Sequence, residues 1–85
     1  MHYVYVLQNL ENKIYIGYSK NIKQRIKDHN SGKGSQTTRK SRHWSLIYFE
    51  GYLNQNDAQN REKFLKGGSG YKYLKKQLKN YLKAE

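Results

Sequence analysis

Apolar and aromatic residues recur at every second position in two short runs near the start of the chain. Residues 2–7 read HYVYVL and residues 13–18 read KIYIGY. Both are rich in aromatic and β-branched side chains, and the turn-like QNLEN lies between them, so the pair predicts a β-hairpin. Alternate side chains of a strand share a face, which sets Tyr3 with Tyr5 on one side, Val4 with Val6 on the other, and Tyr15 with Gly17 on one face of the second strand.

The period then lengthens. Either Ser19 or Asn21 can cap a helix running to about residue 30, where Ser31-Gly32 supplies a stop. With Ile22 at zero and about 100° per residue, Ile26 lies near 40°, His29 near 340° and Arg25 near 300°. His29 thus falls among the inward isoleucines, with Arg25 at their margin. Residues 31–43, SGKGSQTTRKSRH, hold no apolar residue and no acid. They carry Lys33, Arg39, Lys40 and Arg42 and predict a mobile basic loop that contacts nucleic acid.

WSLIYFEGY at 44–52 predicts a third strand. Asn54 or Asn56 opens a second helix through about Lys66, GGSG breaks it, and residues 71–83 form a third. That last helix gathers Leu74, Leu78, Tyr81 and Leu82 on one side and lysines 72, 75, 76, 79 and 83 opposite, a pattern of a helix covering a small sheet with its lysines in water. The sum is one α+β domain over residues 1–85, with a hairpin, a third strand and about three helices.

Charge narrows the partner. Seventeen Lys and Arg against six Asp and Glu in 85 residues give a net charge of +11. A balance that far from neutral points to a polyanion, first of all nucleic acid. The absence of cysteine excludes a disulfide framework and a thiolate zinc site and suits a reducing cytoplasm. No run of about 20 apolar residues and no leader pattern is present, so a soluble, unprocessed chain with no membrane partner is expected.

The six acids, Glu11, Asp28, Glu50, Asp57, Glu62 and Glu85, are spread over separate elements. Two-metal phosphodiester chemistry needs several converging carboxylates, so cleavage by this chain would have to use one ion. With Ala58 at zero, Leu65 lies near 340° and Glu62 near 40°, so Glu62 borders the apolar stripe of its helix. Its ordinary reading is an ion pair with Lys66 at i,i+4. A guanidinium at Arg25 can neutralise charge building on a phosphate, and an imidazole at His29 can move a proton.

Taken in order, YVY, YIG about ten residues later, an arginine and a histidine on the next helix, and a helical glutamate after a third strand, the chain resembles the GIY-YIG nuclease superfamily. It looks most like the short single-domain members related to the catalytic domain of the bacterial excision-repair nuclease, over about residues 2–66. The resemblance implies a small three-stranded antiparallel sheet flanked by about three helices and a DNA endonuclease that uses one Mg²⁺ or Mn²⁺; a unit this small covers little DNA, which points to structure-directed rather than sequence-specific recognition. The resemblance also implies Tyr5, Tyr15, Arg25, His29 and Glu62 as catalytic residues, with Glu62 holding the ion and Lys13 and Gly17 in support. Two departures stand out: Tyr3 occupies the place of the glycine in the first motif, and no asparagine follows Glu62 where some members have one. Composition leaves open RNA in place of DNA, a monomer or weak dimer, a larger repair or recombination partner, and a non-catalytic basic module that grips phosphates and stacks bases.

Overall fold

The computed structural model describes residues 1–34, 38 and 43–83. Strands β1 (His2–Gln8) and β2 (Ile14–Ser19) precede helix α1 (Ile22–Asn30). Strand β3 (Ser45–Tyr52) is followed by α2 (Gln55–Lys66), α3 (Gly68–Gln77) and α4 (Lys79–Lys83). The sheet is antiparallel in the order β2-β1-β3, so the first strand is the central one. Among the described residues no helix is long and apolar enough to cross a membrane.

The hairpin turn is closed by Asn9, whose side-chain oxygen accepts from the backbone amides of Glu11 and Lys13, both at 2.9 Å. Asn12 takes φ 65°, a left-handed conformation that asparagine tolerates better than most residues. Asn21 is the cap of α1, accepting from Gln24, and Asn54 caps α2. Ser19 instead braces the cap, its hydroxyl bonded to the Asn21 backbone.

The strand alternation builds two cores. Val4, Val6 and Ile16 meet Ala58, Leu65 and Leu74, so α2 and α3 cover one face. Tyr5 and Leu7 meet Trp44, with Tyr15, Ile22, Ile26 and Leu46 packed against them, so α1 covers part of the other. Each fully buried aliphatic side chain contributes about 1.5–3 kcal/mol, and a sheet one strand deep on either side of β1 depends on both layers.

A polar clamp ties β3 to the helices. Glu50 accepts from Arg61 Nε and its terminal nitrogen at 3.0 and 3.1 Å, and from the hydroxyls of Tyr48 and Tyr52, both at 2.6 Å. Burial pushes the Glu50 carboxyl up, but these donors outweigh it and hold the group below its ordinary value.

The helical end differs from the sequence expectation. Of the expected GGSG break only Gly67 interrupts the helices, and α3 starts at Gly68 rather than residue 71. The expected helix to residue 83 is also interrupted at Leu78, leaving four helices among the described residues. The cause of the tight elbow is Gly70. A Cβ there would collide with the Phe64 carbonyl oxygen and lie 3.0 Å from the Leu65 Cα, so only glycine lets α3 turn back against the end of α2.

Candidate active site

Tyr5 and Gly17 are direct partners across the β1–β2 ladder. A Cβ at Gly17 would collide with the Tyr5 hydroxyl and lie 3.0 Å from the Tyr15 ring. The glycine therefore makes the space in which the Tyr5 oxygen sits. The two phenol rings are 6.3 Å apart and tilted, as the hairpin pattern predicts.

His29 is fully buried one turn after Arg25 on α1. Its Nε2 is 2.9 Å from the Tyr5 hydroxyl, and its Nδ1 is 2.7 Å from the Thr38 hydroxyl. The Tyr15 ring lies 4.9 Å from the imidazole, centre to centre. A neutral imidazole has one donor and one acceptor, so a chain of Thr38, His29 and Tyr5 can run in either direction.

Burial pushes the Tyr5 phenol up to about 12; Arg25 opposes this, while Tyr15 and Glu62 add to it. Tyr5 is therefore a neutral phenol at neutral pH, unable to act on water as a standing phenolate. Burial, and then the nearby Arg25 charge, hold His29 below its ordinary value of 6.5, which leaves the imidazole neutral and able to accept.

That shift has a measurable sign. The unfolded histidine takes up a proton near 6.5, whereas the buried one resists until lower pH, so stability is full above 6.5 and falls as the pH drops through that value. Melting temperature followed from pH 7.5 downward should decline more steeply for wild type than for His29→Gln. Parallel curves would show that His29 is not the group responsible.

Arg25 is half-buried, and its Nε is a buried donor without a hydrogen-bond partner among the described residues. Unmet buried donors are costly, and an anionic oxygen would satisfy this one; the Arg25 guanidinium is also close enough to the Tyr5 hydroxyl to oppose the rise of that phenol. Glu62 is four-fifths buried and pairs with Lys66 at 2.9 Å, as the i,i+4 spacing predicts. The Lys66 ammonium in turn lies 6.0 Å from the Tyr15 ring centre, so this turn of α2 borders the tyrosine site.

The expected residues are thus not all brought together. Tyr5, Tyr15, Gly17, Arg25, His29 and Glu62 converge, but Lys13 is exposed in the hairpin turn and Lys33 is exposed beyond α1. Arg39, Lys40 and Arg42 lie outside the described residues. Within the stretch expected as a mobile basic loop, Thr38 is fully buried between His29 and Trp44; the Trp44 indole donates to its carbonyl at 3.1 Å. Trp44 is itself fixed by Asn30, which accepts from its amide at 2.7 Å and donates to its carbonyl at 3.0 Å. Gly34 completes this corner, because a Cβ there would collide with His29 Nδ1 and lie 2.5 Å from the Thr38 hydroxyl. Thr38, Trp44 and Gly34 were not singled out in sequence; only the tryptophan beside a polar loop hinted at them.

The donor set suits one hard cation. Among the described residues no group of three or more His, Cys, Asp or Glu side chains could hold a metal ion. One carboxylate completed by water and substrate phosphate is a usual arrangement for Mg²⁺, and Glu62 fits that arrangement and not a two-ion site.

A sequence profile of the GIY-YIG catalytic domain matches residues 1–81. The chain is 41% identical over 66 residues to a UPF0213 protein of Clostridium perfringens, covering 78% of this chain and 71% of that one. It is 44% identical over 75 residues to a UPF0213 protein of Pediococcus acidilactici, covering 86% and 76%. The solution structure of a UPF0213 protein from Bacillus halodurans superposes with a TM-score of 0.55 at 34% identity, over 94% of this chain and 83% of that one. The three-stranded antiparallel α+β architecture is shared with that structure. With a second tyrosine, an arginine and a helical glutamate all close enough to act on Tyr5, the chain belongs to the GIY-YIG catalytic domain family, a family of nucleases, within its group of small UPF0213 proteins.

Proposed function

We propose that this protein is a divalent-metal-dependent endonuclease that hydrolyses phosphodiester bonds in DNA and selects its substrate by structure rather than by a long sequence. The observation that carries the reading is the joint position of the Tyr5–His29 hydrogen bond and the unpartnered Arg25 Nε. The first can move a proton, and the second awaits an anion.

In this reading a phosphate oxygen accepts from Arg25, whose charge stabilises the negative charge that builds up at phosphorus. The attacking water gives its proton to the Tyr5 oxygen while Tyr5 passes its own to His29 Nε2. That relay avoids the standing phenolate which burial forbids. Thr38 then accepts from His29 Nδ1 and fixes the tautomer. Tyr15 orients water or phosphate. Glu62 would hold the Mg²⁺ or Mn²⁺ ion, and the chemistry that ion supplies when bound is polarisation of the phosphate and stabilisation of the departing 3′ oxygen. Lys13, exposed in its turn, is the weaker choice of proton acceptor.

The ion pair of Glu62 with Lys66 favours a second reading, a basic module that binds nucleic acid without cutting it. Tyr5→Phe separates the two, because it deletes the relay and keeps the ring. On labelled single-stranded, duplex, nicked and branched DNA, with Mg²⁺, Mn²⁺ or EDTA, wild type should give metal-dependent products and the variant about 10²–10⁴-fold less. If wild type shifts every substrate but cuts none, the binding module is correct.

A further inference from the structure

Outside the relay, the same face of the sheet carries a feature the proposed chemistry does not use. Phe49 on β3 is the direct partner of Tyr5 on β1, and Tyr3 lies two residues back along β1. Their rings meet edge to face at 6.0 Å. Phe49 is 53% exposed, high for a phenylalanine opposite a fully buried tyrosine. Together with Ile22 and Leu46 they line an open groove that is also lined by Lys20, just before α1, and Lys23 in its first turn. Both lysines are exposed, and the first turn of α1 has no acidic residue to offset them.

We propose that this groove holds an unpaired nucleobase of the nucleic-acid strand next to the phosphate bound by Arg25, an inference that rests on the proposed nuclease reading for the identity of that strand. The two walls match the two parts of a nucleotide. Aromatic rings offer a stacking surface, worth about 1–3 kcal/mol per base, and ammonium groups face the anionic backbone. Distance fits as well. Tyr3 and Tyr5 are two strand residues apart, about 7 Å, which is close to the separation of neighbouring phosphates in an extended strand. A base paired within a duplex is already stacked on both faces and reaches such a wall only after extrusion. The groove therefore selects a flap, gap or single strand. It also gives a use to Tyr3, the bulky residue standing in place of the family's glycine.

Binding measured in EDTA, by fluorescence anisotropy of end-labelled DNA, tests this without any cleavage. The probes are a thymidine strand, the same strand built of abasic residues, and a duplex of equal length. Phe49→Ala and Tyr3→Ala should each weaken binding of the thymidine strand by about tenfold, matching one lost base stack. Neither should alter binding of the abasic strand or the duplex by more than about twofold, and Tyr3→Phe should behave as wild type. Circular dichroism identifies any variant that has lost its fold; Phe49→Trp, which keeps a stacking surface at an exposed position, should then retain thymidine-strand binding. Unchanged thymidine binding, or an equal loss on all three probes, overturns the proposal. The nuclease reading is scored separately by products formed in Mg²⁺ or Mn²⁺: cutting without the base-dependent loss removes the groove alone, and the base-dependent loss without cutting removes the nuclease.

Discussion

Glu62→Ala is expected to reduce cleavage by at least about 10³-fold while leaving DNA binding intact or stronger. Charge stabilisation by a bound divalent ion is worth several kcal/mol, and each 1.36 kcal/mol is about a factor of ten in rate. The carboxylate stands at the border of the tyrosine site with its charge already felt by Tyr5, and among the described residues no cluster of ligands could take its place. Removing it also releases Lys66 from its ion pair and makes the net charge beside the tyrosine site more positive by one. A binder would gain from that change, whereas a nuclease loses its ion. Rates and gel shifts on one labelled substrate, with the ion varied, distinguish the cases. Cleavage within tenfold of wild type would move the metal away from Glu62.

The largest loss of stability should come from a residue far from the chemistry. At Gly70 an added methyl has no direction in which to yield, because its neighbours are the Phe64 carbonyl and the Leu65 backbone. Overpacking usually costs about 1–3 kcal/mol and more where backbone must move. Here the movement would draw Leu74, fully buried against Val4, Val6 and Leu65, away from the sheet. Gly70→Ala should therefore cost about 3 kcal/mol or more, lowering the melting temperature by more than about 12 °C in a domain of this size. Gly68→Ala is the matched control. Nothing lies within 4 Å of its added Cβ, and it should be neutral or stabilising by up to about 1 kcal/mol, chiefly by restricting the unfolded chain. Equal melting temperatures for the two variants would show that the elbow can open freely.

The contrast between those glycines explains what could be read in advance. Strand alternation is a local property, so the faces of Tyr5, Val4 and Tyr15 follow from their positions, and the helical angle of His29 places it inward for the same reason. The i,i+4 step likewise forecasts Glu62 with Lys66. By contrast, the need for glycine at residue 70, but not at 68, arises from how two helices meet. Thr38 meets His29 from nine residues farther along the chain, and no local period encodes either contact. The Glu50 clamp was equally hidden, since Arg61 reaches it from a helix eleven residues later. No spacing encodes a metal requirement either, which only the family resemblance implies.

The position of β1 in the sheet has a consequence for synthesis at the ribosome. β1 emerges before both of the strands that must pair with it, one on each side. Its β2 neighbour follows at once, so the hairpin can close early, but β3 does not begin until Ser45. Until then one full edge of β1, with Tyr3 and Tyr5 on one face and Val4 and Val6 on the other, presents unpaired amides and carbonyls to any other extended chain. The growing chain must pass through a stage in which its most buried strand is its most adhesive one. The run of lysines and arginines between β2 and β3 then acquires a second value: like-charge repulsion holds nascent copies apart while that edge waits to be filled.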